Sequence, residues 1–391
     1  MPAPVRHPGV VPRRLRPLLA CGALALSLSS AACAGAQPPP QQPTATVTSG
    51  PTASASSWLG FKAGRWPGAD WRPYAASSPF NQPIARGVRV HPRSREYIRQ
   101  ILAWSLPAAV VGGVAGTTDD YAHPTYWASR SDPVFTLRPT SSWGHPALRG
   151  VRIRIPRRAR AAMGGDGHMT VVQPDGWEYD FWQARPQSGG VLRYTAGARL
   201  RIDGSGIDGG ATAADFGNLA GIIRAPELAA GRIDHALFLV IRCAASGTRF
   251  GYGARSRGAG DSAWVYPAGG GGAPCRDGSE APPLGARLQL AMSERELAAL
   301  PVPPWKRAIL RALARYGAYV GDTGGPGVGL QIESSLTYTA FGLPDPLVQL
   351  ARRQQATGDP FVRQSGDRWL FDVSGDVDWL RKLRVVTPPK R

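Results

Sequence analysis

The chain has 391 residues, of which 43% are hydrophobic and 8% aromatic. That is enough for a packed core, so a wholly disordered chain and a small disulfide scaffold are excluded. The 48 glycines and 37 prolines favour a fold of strands and loops over a helical bundle. The formal net charge is +19, but it consists almost entirely of scattered arginines, which is typical of a GC-rich genome. We therefore expect no nucleic-acid binding, and we expect a basic surface that favours acidic glycans.

The beginning of the chain has the pattern of an export signal. Residues 1–16 carry four arginines and no acid, and the apolar stretch at 17–32 is too short to span a bilayer comfortably. Two routes of processing stay open. The residues before Cys33 resemble a lipoprotein box with Cys33 as the lipidated residue, whereas residues 34–36 fit ordinary cleavage before Gln37. We favour the lipoprotein, attached to the membrane only through its lipid and otherwise extracytoplasmic or secreted.

The chain divides into three parts by composition. Residues 1–33 form the predicted signal peptide, and residues 34–57 are a linker rich in Pro, Ser and Thr without apolar periodicity. Such a linker cannot bury a core, so we expect an extended tether. Residues 58–391 are predicted to form a single β-rich domain.

Short strands dominate the predicted elements of this domain. Apolar residues repeat at a spacing of four over 94–104, which predicts a helix. Around Ile153 they alternate with arginines, which predicts a strand with one buried face. Further strands are predicted at 134–138, 168–173, 177–182, 191–195, 198–203, 235–242, 263–266, 286–290, 318–321 and 329–333.

The segment from His168 to Trp182 is predicted to be a hairpin, because Pro174-Asp175-Gly176 is a turn sequence between two alternating runs. The register expected from this turn places Thr170 opposite Asp180. Alternation then assigns Met169, Val171, Trp177, Tyr179 and Phe181 to the core face. The opposite face collects His168, Thr170, Glu178, Asp180 and Trp182.

This mixture of an imidazole, two carboxylates, a hydroxyl and an indole suits a saccharide. His168 is a candidate base for a lyase, and Glu178 with Asp180 is a candidate pair for retaining hydrolysis, which needs carboxyl groups about 5–5.5 Å apart. Thr170 and Trp182 are candidate substrate-binding residues. The alternative is a solvated outer face. In either case we expect a partly open surface, where substitutions change stability by less than about 1 kcal/mol.

Three polar residues beyond the hairpin are further candidates. His235 precedes a continuous apolar run, so it enters a buried strand at its rim and is a second candidate base. Asp322 and Glu333 are candidate substrate-binding residues. The alternative for His235 is a satisfied structural imidazole, and for Asp322 a carboxylate that accepts from its own turn.

Cysteine positions predict one disulfide. Cys21 and Cys33 fall in the signal segment, which leaves Cys243 and Cys275 in the mature chain. Two thiols in an oxidising compartment are expected to pair. The rival is a metal site, which lacks a second cysteine pair and a nearby histidine. We expect no metal and no cofactor.

Two helices are predicted late in the chain. Ser293 and Glu296 form a capping box that begins a helix over 294–300. Two prolines then open a second helix over 304–316, which ends at Gly317. The many short strands and few helices predict a mainly β fold, which we expect to be an antiparallel, jelly-roll-like β-sandwich with a few short peripheral helices.

Four stretches, at 78–86, 165–183, 217–238 and 310–325, resemble a group of secreted proteins from high-GC actinobacteria. The resemblance implies one coherent exported unit and no particular activity. The expected β-sandwich is also similar in style to jelly-roll polysaccharide lyases and hydrolases, which is an analogy of fold alone.

Two classes of function follow from these expectations. The first is an exported polysaccharide lyase or glycoside hydrolase that acts on an acidic cell-surface or environmental glycan. The second is a non-catalytic lipoprotein that binds a glycan or the cell wall. In both classes the partner is a polysaccharide, and we expect a monomer. A cleft that brings His168, His235 and a carboxylate together favours the enzyme, and a shallow aromatic strip favours binding.

Overall fold

In a computed structural model of the chain, residues 58–112, 121–143, 146–187, 189–207, 209–258, 260–325 and 327–388 are described. The predicted signal segment, the tether and Cys33 lie outside these residues. All described residues belong to one compact unit of the chain.

Helices are short and few in the described residues. They are α1 Ser94–Trp104, α2 Ala225–Ala230, α3 Glu294–Ala299, α4 Pro304–Arg315, α5 Leu336–Thr339, α6 Pro346–Ala356 and α7 Trp379–Lys382. The three helices predicted from the sequence are confirmed as α1, α3 and α4. The Ser293 hydroxyl accepts from the backbone N–H of Glu296, and the Glu296 carboxylate accepts in return from the Ser293 backbone, so the predicted capping box begins α3.

Strands make up most of the fold. They are β1 Ala108–Gly112, β2 Thr125–Trp127, β3 Val134–Pro139, β4 Arg152–Arg154, β5 Met169–Val172, β6 Trp177–Trp182, β7 Arg185–Gln187, β8 Val191–Tyr194, β9 Ala196–Arg201, β10 Leu237–Ile241, β11 Arg287–Leu290, β12 Ala318–Thr323, β13 Gly329–Leu330, β14 Val362–Ser365, β15 Arg368–Asp372 and β16 Leu383–Val386. The strand predicted at 263–266 is wrong, because Trp264 there makes only isolated bridges to Arg255 and Leu284.

The strands form three sheets. A large sheet has the order β14-β15-β1-β13-β10-β12-β11-β16, a hairpin sheet the order β2-β5-β6-β9, and an outer sheet the order β4-β3-β8-β7. The mainly β prediction is confirmed, but the purely antiparallel one is wrong. Each sheet contains parallel neighbours. They are β10 with β12 and β1 with β13 in the large sheet, β2 with β5 in the hairpin sheet, and β3 with β8 in the outer sheet. Parallel neighbours require long crossover connections, and local sequence patterns do not show these.

Two hydrophobic cores flank the hairpin sheet. The larger core packs on the large sheet and includes Val172 and Leu200 from one face of the hairpin sheet. The smaller core takes side chains from the opposite face of the hairpin sheet and from the outer sheet. Its members include Leu137, Ile153, Met169, Val171, Phe181 and Leu192. The hairpin sheet is therefore covered on both faces.

The predicted disulfide is confirmed. Cys243 and Cys275 are joined by an S–S bond across a sequence separation of 32. The backbone of Ala244, next to Cys243, also bridges to Pro274. The disulfide therefore attaches the end of β10 to the Gly-rich loop that follows it.

Candidate functional site

The hairpin from His168 to Trp182 has the register that its turn sequence predicts. Thr170 pairs with Asp180 and Val172 with Glu178. The backbone N–H of Gln173 donates to the carbonyl of Trp177 at 2.8 Å. Gly176 closes the turn with a φ of +83°, a conformation that glycine adopts without a steric penalty.

The polar face of this hairpin is buried, so the expectation of a partly open surface is wrong. Thr170, Glu178 and Asp180 are fully buried, and His168 is 3% exposed. Trp182 alone among the predicted residues of this face is half-buried. The face is covered by Tyr74 and by the backbone of residues 218 and 219, which lie far away in the sequence.

Protein donors satisfy all four oxygens of the two carboxyl groups. Tyr74 Oη donates to Glu178 Oε1 and Oε2 at 3.1 and 3.0 Å, and the Leu219 N–H donates to Oε1 at 3.3 Å. Thr170 Oγ1 donates to Asp180 Oδ1 at 2.8 Å, and the Asn218 N–H donates to Oδ2 at 2.9 Å. Burial raises the pKa of Asp180 to about 7. Burial first, and then the charge of Asp180, raise the pKa of Glu178 well above its usual range.

Tyr74 is fixed over the carboxyl pair by its backbone. Its φ of 71° lies in the left-handed region, which non-glycine residues rarely occupy. Its N–H donates to the carbonyl of Ile202 at 2.6 Å. A Cβ on Gly217 would collide with Tyr74 Oη, so glycine is required there for the hydroxyl to reach Glu178.

Next to the buried carboxyl pair, His123, His168 and Asn218 form a polar cluster, and two of these residues have hydrogen-bonding atoms without a partner in the described residues. The rings of His123 and His168 lie 4.2 Å apart between centroids, and His123 Nδ1 lies 3.1 Å from the carbonyl oxygen of Asn218. Within the described part of the chain, His168 Nδ1 and both side-chain amide atoms of Asn218 are buried without a hydrogen-bond partner. Buried polar atoms are normally paired, so this cluster is a candidate ligand site.

Both imidazoles of the cluster are neutral at physiological pH. Burial lowers the pKa of His168 to about 4, against the opposing effect of a hydrogen bond with the backbone of Phe181. Burial, reinforced by His168, lowers the pKa of His123 well below its usual range. A neutral imidazole keeps one nitrogen lone pair free, so a base is available in this cluster.

Asp166 and two tryptophans form the rim of the cluster. Trp182 Nε1 donates to Asp166 Oδ1 at 3.0 Å. The ring of Trp143, which is 66% exposed, lies 6.2 Å from that of Trp182. The charge of Asp166 favours the protonated forms of both His123 and Asp322. The rim therefore combines a carboxylate with aromatic surface.

Asp322, at the end of β12, accepts from the backbone. The N–H groups of Thr323 and Ala213 donate to its two oxygens at 2.7 and 3.5 Å. Burial raises the pKa of Asp322 to about 7, and Asp166 adds to this effect. Asp322 thus shares the electrostatic environment of the cluster. It accepts from the next residue of its own strand and from Ala213, which lies far away in the sequence, and not only from its own turn.

On another side of His123 lies a narrow cavity with aromatic walls. Its volume is about 20 Å³, room for roughly one water molecule. Its lining includes Trp66, Trp71, His123, Trp127, Arg224 and Glu333. Glu333 accepts from Tyr338 Oη at 2.8 Å and from the Ala225 N–H at 3.2 Å, and burial raises its pKa to about 7.

His235 belongs to a different polar cluster. Its Nε2 lies 3.0 Å from Glu227 Oε1, and its Nδ1 lies 2.9 Å from the carbonyl oxygen of Ala236. Arg224 pairs with the same Glu227 oxygen at 2.8 Å. Burial alone would raise the pKa of Glu227, but Arg224 and His235 outweigh it and lower the pKa to about 2. These contacts fit the structural alternative for His235.

Sequence reasoning missed five residues of this region: Tyr74, His123, Trp143, Asp166 and Asn218. Asp166 lies between two glycines immediately before the hairpin, which is a usable signal. Asn218 follows Gly217, and the other three carry no local pattern. Their positions depend on contacts across long stretches of sequence.

In the described part of the chain, no group of three or more His, Cys, Asp or Glu side chains is arranged to hold a metal ion. Among the same residues, no helix is both long and apolar enough to cross a membrane.

Comparisons of the chain with protein-family models, curated proteins and solved structures find no match.

Proposed function

We propose that the protein acts on an acidic polysaccharide outside the cytoplasm, and that His168 is the base of a lyase reaction. The observation that carries this proposal is the buried Nδ1 of His168, unpartnered in the described residues. The ring of His168 lies against that of His123, which contacts the backbone carbonyl of Asn218, and the side-chain amide of Asn218 is likewise unpartnered in the described residues. Buried polar atoms that lack a protein partner normally pair with a bound water or a polar ligand, and we propose a polar group of the substrate as the partner here.

The chemistry of an acidic polysaccharide fits this cluster. The hydrogen on the carbon next to a sugar carboxyl group is acidic. In the proposed step, His168 Nδ1 takes this proton, the C–H electron pair forms a C=C double bond, and the glycosidic C–O bond breaks. The leaving oxygen takes a proton from water, and the imidazolium gives its proton to the resulting hydroxide.

Charge favours this step once the substrate is bound. A sugar carboxylate beside the ring stabilises the imidazolium, because a nearby opposite charge favours the charged form. The free amide N–H of Asn218 is the proposed donor to that carboxylate. Trp143 and Trp182 at the rim are the proposed surface for a sugar face.

Retaining hydrolysis by Glu178 and Asp180 is less well supported. Each of their oxygens already accepts from a protein donor, whereas Nδ1 of His168 has no partner in the described residues. A substrate oxygen would have to displace these donors. We propose that the pair positions the backbone of Asn218 and Leu219 instead.

The proposal also includes the expectations from the sequence about export and about the arrangement of the sheets. The signal peptide at 1–33, the lipid on Cys33 and the tether at 34–57 would place the domain 58–391 outside the cytoplasm. The hairpin and outer sheets contribute to one core, which supports a sandwich-like arrangement in this part of the molecule. The alternative function, non-catalytic glycan binding, is favoured by the exposed Trp143 beside Trp182 and by the placement of His235 in a different polar cluster from His168.

The test is a screen of the purified protein against polyuronates and neutral glucans. Both the absorbance of unsaturated sugars and new reducing ends are recorded. The lyase proposal predicts absorbance with at least one polyuronate and none with neutral glucans. Reducing ends without absorbance would indicate a hydrolase, and binding without either signal would indicate the non-catalytic alternative.

Variants identify the base. His168→Ala is expected to lower the rate at least about 100-fold, since general-base catalysis contributes 10²–10⁴. His91→Ala is the matched control, because His91 is also a buried imidazole but stacks on Phe250. Thermal melting of both variants monitors folding. Equal rates in the two variants would contradict the role of His168.

A further inference from the structure

Arginines that are scattered in the sequence lie side by side on the outer sheet. Arg138 of β3 pairs with Arg193 of β8, and Arg193 pairs with Arg185 of β7. Directly paired residues on neighbouring strands lie on the same face of a sheet. Arg138, Arg193 and Arg185 therefore form a row across three strands, called here the arginine row.

Two further arginines extend this face on β4. Arg152 pairs with Thr136 and Arg154 with Val134, and both of these β3 residues lie on the same face as Arg138 because side chains alternate along a strand. The opposite face of the same strands belongs to the smaller core. The outward face thus carries five arginines.

Stability alone does not explain this arrangement. Strands β3, β4, β7 and β8 contain no Asp or Glu. Among the described ion pairs, none includes Arg138, Arg152 or Arg193, and all three are exposed. Like charges directly opposite one another destabilise a sheet, so the pair of Arg138 and Arg193 opposes folding unless an anion covers it.

The guanidinium groups of the arginine row favour the binding of a polymer with regularly spaced anionic groups. Neighbouring strands lie about 4.8 Å apart, so the row presents guanidinium groups at regular steps. Each guanidinium group can bind a carboxylate through two parallel hydrogen bonds. A chain of acidic sugars offers such carboxylates along one line.

The row lies at the end of the outer sheet nearest the rim of the candidate site. Strand β7 begins three residues after Trp182, and β8 leads directly into β9, whose Ala196 pairs with Trp182. The Thr140 N–H donates to the carbonyl of Tyr194 at 2.8 Å, which ties the segment leading to Trp143 to the same edge. The row and the pair of Trp143 and Trp182 are thus connected through the same edge of the two sheets.

We infer that the outward face of the outer sheet, which carries the arginine row, is a docking surface for an acidic polysaccharide. This face holds the polymer while one end of the polymer enters the cluster of His123, His168 and Asn218. This inference deepens the proposed function and rests on it. The continuity of the row with the aromatic rim favours a glycan over an anionic membrane or a nucleic acid, since the same chain then contacts both surfaces.

The test compares two double variants that remove the same charge. Arg138→Gln with Arg193→Gln alters the row, and Arg352→Gln with Arg353→Gln alters two exposed arginines of α6. Binding of the purified protein to a polyuronate is measured at several salt concentrations. The row variant is expected to bind at least about tenfold more weakly, with a shallower dependence on salt, and the α6 variant to stay within about twofold of wild type.

Measurements of polymer cleavage by the row variant distinguish this inference from the proposed function. If polyuronate is cleaved, the row variant should raise KM for the polymer and leave kcat unchanged. Row-dependent binding without any cleavage supports the docking surface and contradicts the lyase. Equal binding by the two double variants overturns the docking surface, as does stronger row-dependent binding to anionic lipid vesicles or to single-stranded DNA than to the polyuronate.

Discussion

At the scale of single residues, the buried pair Glu178 and Asp180 is the most unusual feature of the molecule. Two carboxyl groups in contact away from water cannot both ionise readily, because each opposes the charge of the other. Burial raises the pKa of both, that of Asp180 to about 7. The pair therefore retains a proton near neutral pH, and its hydrogen bonds hold the backbone beside the His168 cluster.

Asp180→Asn should make the stability of the protein less sensitive to pH. The pKa of Asp180 is about 7 in the folded protein, against an ordinary value of 3.8. Between these values the unfolded state releases a proton that the folded state keeps, so this group lowers stability as pH rises. Asparagine can still accept from the Asn218 N–H and donate to Thr170 Oγ1.

Melting temperatures of wild type and Asp180→Asn at pH 4, 6 and 8 check this prediction. The two proteins should melt together near pH 4, and the variant should melt higher at pH 8. Comparison at each pH cancels the contribution of the buried histidines, which has the opposite sign. A wild type that is more stable than the variant at pH 8 would contradict the conclusion that burial raises the pKa of Asp180 to about 7.

At the scale of the element, the hairpin shows which structural features the local sequence pattern predicts and which it does not. The alternation of residues 168–182 and the Pro-Asp-Gly turn predict the register and the core face, and both agree with the structure. The first strand is one residue shorter at each end than predicted. The same pattern gives no information about the second face. Tyr74 lies 104 residues from Glu178, and Asn218 lies 38 residues from Asp180, so the cover is decided by tertiary packing.

Phe181→Ala and Trp143→Ala should separate the core from the rim. Phe181 is fully buried in the smaller core, so its truncation should cost about 3–5 kcal/mol through lost burial and a cavity. Trp143 is 66% exposed, so its loss should change stability by less than about 1 kcal/mol and should weaken glycan binding. Denaturant unfolding and a binding assay measure the two effects. A stable Phe181→Ala would show that this face does not form a core.

At the scale of the whole molecule, the mainly β class was predictable but the topology was not. Composition and short apolar runs predict strands wherever a strand is long and central, as for β10 and β12. Strands such as β1 and β2 exist because partners far away in the sequence pair with them. The parallel pairs arise in the same way, and no local signal accompanies them.

The disulfide should contribute measurably to global stability. It closes a loop with a sequence separation of 32, which corresponds to about 3–4 kcal/mol in the chain-entropy treatment. The variant with Cys243→Ala and Cys275→Ala should therefore melt several degrees lower than wild type, measured by calorimetry. An unchanged melting temperature would show that other contacts already hold this loop in place without the disulfide.

The most direct test of the central claim is the nitrogen NMR signal of the His168 imidazole during titration with an acidic oligosaccharide. The proposed function predicts that the Nδ1 resonance of His168 shifts as the site fills, because this atom gains a hydrogen-bond partner. The resonances of His91, which contacts Phe250, should stay in place. A saturable binding curve without movement of the His168 signal would contradict the assignment of this cluster as the glycan site.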